Sequence, residues 1–315
     1  MPPVEIPVEK WPGKVREVTI GGNGRKSVTV GGESALPFLS FEGQIPNRPR
    51  IAIEVVDMVP EDWADNLVQA WGDAMKSPAA WAKKAAEYGA DLICLSLDSA
   101  HPDGPNTGPK EAVESVTSVL EAVDLPLIVL GPGVADKDNE VLTAVADAAS
   151  GQRIVLGFCE EKNYRTIVAA ALAGGHLVIA KTPIEINLAK QLNILVSDMG
   201  LPPDRILMDP TTGALGYGLE YVYSVMERLR LAALQGDSMT QIPIINIAGK
   251  EAWRQKEAKA AQGVPDFWGD AARRGILWEE ITASELLLAG SDILVMRHPE
   301  AVQKVKATID SLMGS

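Results

Sequence analysis

Residues 153–199 read RIVLGFCEEKNYRTIVAAALAGGHLVIAKTPIEINLAKQLNILVSDM, and their texture decides the fold. Two apolar runs, 153–158 and 177–181, are each followed by a stretch with helical spacing. After the first, Tyr164, Ile167, Val168 and Ala171 fall on one face. After the second, Leu188, Leu192, Leu195, Val196 and Met199 do the same. A near-continuous apolar run without polar alternation suits a strand covered on both faces, as in a parallel sheet. Thr182-Pro183-Ile184-Glu185 supplies an N-cap, an N1 proline and a capping-box glutamate, which predicts a helix starting at Thr182.

The same alternation extends in both directions. Strands are predicted at 51–56, 92–97, 127–130, 153–158, 177–181, 205–208, 243–248 and 292–296. Amphipathic helices are predicted over 111–123 and around Val141, Leu142, Val145 and Ala149. A long one follows Leu219, Val222, Met226, Leu229 and Ala233, and the last carries Val302, Val305, Ile309 and Leu312. Eight strand–helix units in series favour the α/β class, as a (β/α)8 TIM barrel rather than a doubly wound sheet. The doubly wound alternative would need a Gly-rich turn after the first strand to bind a dinucleotide, and VVDMVPEDW stands there instead. Upstream, REVTIGGNGRKSVTV alternates about an Asn-Gly turn and predicts a β-hairpin plugging the N-terminal mouth of the barrel. The chain therefore divides into an N-terminal extension with the hairpin, 1–50, and a TIM barrel, 51–315.

Composition narrows the function. Of 315 residues 46% are apolar and 23% charged, as in an ordinary globular protein with a sizeable core. A net charge of −13 argues against nucleic acid as partner, because neutralising phosphates takes clustered Lys and Arg. Residues 1–50 hold seven Lys or Arg against five Glu, so a mildly basic arm precedes an acidic body. The two cysteines, Cys94 and Cys159, lie in apolar strands and read as buried free thiols in a reducing cytoplasm. No apolar run reaches the roughly 18 residues of a membrane span, and the first residues lack a signal pattern. A soluble, cytoplasmic protein is expected.

Barrel chemistry gathers at the C-terminal ends of the strands. Asp57, Asp98, Cys159, Lys181, Asp209, Asn246 and Arg297 occupy those ends here. The connections 57–78, with Trp63 and Trp71, and 249–269, with Trp253, Phe267 and Trp268, are long enough to be functional loops, though the tryptophans could equally pack on the barrel's own rim. Lys181 could serve a Schiff-base aldolase, or pair with Asp209 or Glu54. The loop DPTTGALGYG at 209–218 offers backbone N–H groups and hydroxyls to a polar ligand edge, or is simply an elaborate turn. Scattered His101, His176 and His298 make no metal motif, and two cysteines cannot hold a [4Fe–4S] cluster.

Three long runs, DPTTGALGYGLEYVYSVMERLRLAAL, INIAGKEAWRQKEA and RRGILWEEITASELLLAGSDILVMRHPEAV, resemble the small subunit of the corrinoid iron–sulfur protein. The corresponding archaeal chain is the delta subunit of the acetyl-CoA decarbonylase/synthase complex. The likeness runs from the hairpin to the last helix. It implies a heterodimer whose large subunit carries the [4Fe–4S] cluster and a corrinoid domain, while the barrel caps the cobalt corrinoid (cobamide) shared between them. The corrinoid would carry a methyl group from methyltetrahydrofolate, through a separate methyltransferase, to acetyl-CoA synthase. No cobalt ligand is expected here. DSAHPDG at 98–104 has Ser99 where the D-x-H-x-x-G motif of histidine-ligated corrinoid domains requires Asp. By position, Asn106, Thr107, Thr211, Thr212, Gly213, Asn246 and Gly249 are expected to hydrogen-bond the corrin's amide arms. The competing readings are a barrel methyltransferase binding methyltetrahydrofolate through Asp98, Asp209 and Asn246, a pure scaffold for the large subunit, and the Lys181 aldolase.

Overall fold

The computed structural model describes residues 6–314. A two-stranded antiparallel hairpin, β1 (Val18–Gly21) and β2 (Ser27–Val30), precedes eight parallel strands. These are β3 (Arg50–Val56), β4 (Leu92–Ser96), β5 (Leu127–Leu130), β6 (Val155–Cys159), β7 (Leu177–Lys181), β8 (Ile206–Asp209), β9 (Ile245–Asn246) and β10 (Ile293–Met296). Hydrogen bonding runs in the order β8-β7-β6-β5-β4-β3-β10-β9, and a bridge between Met208 and Ile244 joins the two ends into a ring. This is the predicted TIM barrel with its hairpin extension.

Alternation along each strand sorts side chains into two cores. Ala52, Leu92, Cys94, Ile128, Leu207 and Val295 point into the barrel, and Val18, Ile20, Val28 and Val30 of the hairpin pack with them. Asn23 (φ 54°) and Gly24 (φ 94°) make the left-handed turn that lets the hairpin reverse. Gly21 N–H donates to Arg153 O at 3.1 Å and Lys26 N–H to Asp124 O at 3.1 Å, both in segments entering strands. The plug therefore sits at the N-terminal mouth. Buried Arg230 ties the extension to the barrel through Asp292 (2.9 Å) and Glu33 (3.6 Å). The opposite faces of the strands pack beneath the helices, among them Tyr164–Gly174, Leu219–Leu234 and Pro299–Met313. Helices Pro78–Glu87 and Ala271–Leu288, not marked out by the sequence patterns above, complete the layer.

Three expectations need correction. The helix predicted from Thr182 begins at Ile186. Thr182 instead prolongs the β7 ladder, donating its N–H to Asp209 O at 3.1 Å. Glu185 is the cap itself, accepting from Asn187 N at 3.0 Å and Leu188 N at 2.8 Å. The strand expected over 243–248 shrinks to Ile245–Asn246, because Pro243 has no N–H to give and a helix, Ala248–Arg254, starts at once. The long connections are largely helical, with Asp65–Trp71 in the first and Ala248–Arg254 in the second. Trp63, Trp71 and Trp253 are buried, so the rim-packing reading holds for them. Cys94 and Cys159 are buried free thiols, and burial pushes both up. No helix among the described residues is long and apolar enough to cross a membrane.

Candidate functional site

At the C-terminal end of the barrel the apolar interior gives way to charge. On β3, β4, β7, β8 and just past β10, the inward positions are Glu54, Ser96, Lys181, Asp209 and Arg297. Glu54 is fully buried; it accepts from Ser96 Oγ at 2.9 Å and from Arg297 Nε at 2.5 Å. Burial would raise its carboxyl, but the guanidinium of Arg297 outweighs burial and holds it below the ordinary value. Arg297 also lies over the Trp63 ring, 4.6 Å from its centroid. Glu279, on the helix Ala271–Leu288, fixes this corner from behind. It accepts from Trp253 Nε1 at 2.7 Å and from the backbone N–H groups of Arg297 (2.5 Å) and His298 (3.0 Å). Burial pushes it up to about 7. Alongside, Lys250 reaches to 3.9 Å from Asp98, and Ser99 bonds both Asp57 (2.5 Å) and Thr107 Oγ1 (2.7 Å).

The other half of the mouth is a groove of about 560 Å³ between the β6 and β7 loops and the helix Ile186–Asp198. Lys181, Glu160, Thr182 and Thr211 line its polar end, and Leu188, Leu192 and Leu195 its apolar wall. Lys181 Nζ stands 3.7 Å from Glu160 and 4.2 Å from the centroid of the Phe158 ring. Its partner is thus Glu160, rather than Asp209 or Glu54. Thr182 Oγ1 is buried without a hydrogen-bond partner. Burial pushes Asp209 and Asp138 up to about 6 each, and the charged lining of the groove is balanced, Glu160 and Glu161 against Lys162 and Lys181.

The sequence-derived positions scatter about this mouth. Thr211 lines the groove in a left-handed conformation (φ 63°), its N–H bound to Asp209 at 2.8 Å and its hydroxyl to Thr182 O at 2.6 Å. Gly213 is half-buried beside it, 3.6 Å from Ile184 by its missing Cβ. Thr212 and Asn246 come together, Asn246 Nδ2 donating to Thr212 Oγ1 at 3.2 Å. Their setting differs from the expected one, however. Asn246 is fully buried against Met226 of the helix layer, while its neighbours Ile245 and Ile247 face the barrel interior. Gly249 is buried too, and a Cβ there would meet Arg297 N and Glu279 Oε1, each at 2.8 Å. Asn106 is exposed (φ 52°) and Thr107 half-buried, on the Asp57 side. His101 is tied into its own turn, its Nδ1 accepting from Asp103 N at 3.1 Å. Among the described residues no group of three His, Cys, Asp or Glu is placed to hold a metal ion. Sequence reading missed Glu160, Lys250 and Glu279. The first directly follows the β6 run and was discoverable; the other two sit within helices and carried no local signal.

Around the charged mouth stand large apolar side chains turned to solvent. Phe267 is 87% exposed and Tyr217 81%, with Tyr221, Val59 and Leu188 also exposed. All five lie in segments that follow barrel strands, so the C-terminal face is an apolar collar around a polar centre. Such clustering marks a contact surface.

Comparison with known proteins agrees with this architecture. The family described as the CO dehydrogenase/acetyl-CoA synthase delta subunit matches residues 17–307. Subunit delta 1 of the acetyl-CoA decarbonylase/synthase complex from Methanosarcina thermophila is 40% identical, over 98% of this chain and 73% of its own length. The delta subunit from Archaeoglobus fulgidus is 39% identical, over 97% and 70%. Among solved structures, dihydropteroate synthase from Xanthomonas albilineans superposes with a TM-score of 0.59 at 15% identity, covering 89% of this chain and 98% of that one. The Thermus thermophilus enzyme gives 0.56 at 14%, covering 95% and 100%. At such low identity the likeness concerns the barrel fold alone.

Proposed function

Because this chain belongs to the family of the CO dehydrogenase/acetyl-CoA synthase delta subunit, we propose that it is the barrel subunit of a heterodimeric corrinoid iron–sulfur protein. Its C-terminal face would close over a cobalt corrinoid carried by a large subunit, which would also hold the [4Fe–4S] cluster. A methyltetrahydrofolate:corrinoid methyltransferase and acetyl-CoA synthase would be the successive partners. The observation that carries the reading is the apolar collar around a charged, grooved mouth, with Phe267 and Tyr217 almost wholly exposed.

The residues present fit such a group. A corrin offers apolar faces and primary amide arms, each arm both donor and acceptor. The groove answers with an acceptor in Glu160, a donor in Lys181, and the unpartnered hydroxyl of Thr182. The bound corrinoid would supply a cobalt able to take up and release a methyl group. This chain's part is to exclude water, through Leu188, Tyr217 and Phe267, and to orient the macrocycle by a hydrogen bond from Lys181 and one accepted by the Thr211 hydroxyl oxygen. Thr107 and Asn106, across the mouth, would meet arms on the other side. Asn246 would act through Thr212, and Gly249 by letting the Glu279 buttress approach.

The test is to reconstitute the heterodimer with Lys181→Met and Thr211→Val in this chain. A changed cobalt absorption spectrum and slower methyl transfer are expected. An unaltered spectrum with normal heterodimer assembly would leave a pure scaffold. Micromolar binding of methyltetrahydrofolate to this chain alone, by calorimetric titration, would favour the methyltransferase reading instead.

A further inference from the structure

Beside the collar, the helices Leu219–Leu234 and Ala271–Leu288 enclose a second groove, of about 340 Å³. Leu215, Leu219, Trp278 and Ile281 form its apolar wall, and Tyr217 stands at its lip. Leu277, Ile281 and Leu288, spaced i, i+4 and i+11 on one helix face, are all exposed and extend the strip over roughly 16 Å. Its lining is acidic: Glu220 suits the first turn of its own helix, whereas Glu285 is not explained by the chain's own folding.

Glu220 and Glu285 both line it, and among the described residues neither takes part in an ion pair. Glu285 stands in the last turn of its helix, where the helix dipole disfavours negative charge, so its own helix gains nothing from it.

We infer that this groove docks a basic, amphipathic segment of a different polypeptide. Aliphatic side chains of that segment pack on Trp278 and Ile281. Lys or Arg side chains pair with Glu220 and Glu285. A second copy of this chain is the poorer occupant, since a body of net charge −13 repels its like. The inference does not rest on the corrinoid reading: Tyr217 also belongs to the collar, but Glu220, Glu285, Trp278 and Ile281 have no part in the charged mouth.

The experiment uses the full chain and two helical probes of ~18 residues, long enough to hold a helix, one of leucine and lysine and one of leucine and glutamate in the same pattern. The leucine–lysine peptide binds the wild type and the leucine–glutamate peptide does not. Glu220→Lys with Glu285→Lys weakens the first by at least about tenfold and confers binding of the second. Ile281→Asp abolishes binding; if circular dichroism shows that variant misfolded, Tyr217→Ser at the exposed lip replaces it. Equal binding of both peptides, or charge reversal changing affinity by less than about twofold, overturns the inference. So does a dimer seen by sedimentation that Tyr217→Ser dissociates, which would make the occupant a second copy.

Discussion

Replacing Arg297 by methionine strips the buried carboxylate of Glu54 of its cation while keeping a stem of similar length. Glu54 has no exposed surface, and Arg297 is 5% exposed. The carboxylate would keep the Ser96 hydroxyl at 2.9 Å and a longer-range attraction to Lys250, neither of which neutralises it. Removing one partner of a buried ion pair costs about 3–5 kcal/mol. The guanidinium's contact with Trp63 contributes to the same loss, so about 4 kcal/mol is expected. For a chain of 315 residues that lowers Tm by roughly 6 °C. The pH dependence carries the sign. In the wild type the carboxyl of Glu54 sits below its ordinary value, so its stabilisation is present above the unfolded value and is lost as pH falls through the folded one. In the variant burial acts alone and raises it, so the deficit is largest at pH 8 and shrinks towards pH 5. Glu54→Met combined with Arg297→Met should recover most of the loss, because apolar replacement of a whole buried pair is often neutral. Urea unfolding followed by tryptophan fluorescence at both pH values measures all three. A single variant within about 1 kcal/mol of wild type, a deficit independent of pH, or a double variant no more stable than the single one would refute the reasoning.

Two further outcomes follow from the buttress behind that pair. Gly249→Ala drives a Cβ against Arg297 N and Glu279, both at 2.8 Å, and should cost about 1–3 kcal/mol by urea unfolding; an unchanged midpoint would show that the backbone can yield. Glu279, raised by burial to about 7, stays protonated in the folded state where the unfolded chain ionises. Stability should therefore fall by about 3 kcal/mol as pH rises from 4.5 to 7 and level off above, a slope that Glu279→Gln lacks. Parallel pH profiles of the two proteins would contradict it.

Much of the barrel was legible because parallel strands covered on both faces must be apolar throughout. The runs 127–130 and 177–181 coincide with β5 and β7 to the residue. The Asn-Gly turn likewise announced the hairpin. What misled was local grammar overridden by tertiary contact. Thr182 has the residue type of an N-cap, yet the neighbouring strand holds its backbone in the sheet. Asn246 occupies a strand end, but two paired residues give no phase from which to read which way a side chain turns. For Trp63, Trp71 and Trp253 the sequence left a partner surface and rim packing equally open, and their burial decides for packing.

By itself, then, the order of apolar runs and helical stripes determined eight parallel strands, a plugged lower mouth and an upper rim bearing the polar residues. The pairing of those residues was decided only by closure of the ring. Glu54 and Arg297 lie 243 residues apart and meet because the first and last barrel strands are hydrogen-bonded neighbours. Glu279 reaches the same corner from a helix that the sequence patterns did not mark out. A charge's partner depends on which backbone lies across the sheet, and no local pattern of residues encodes that.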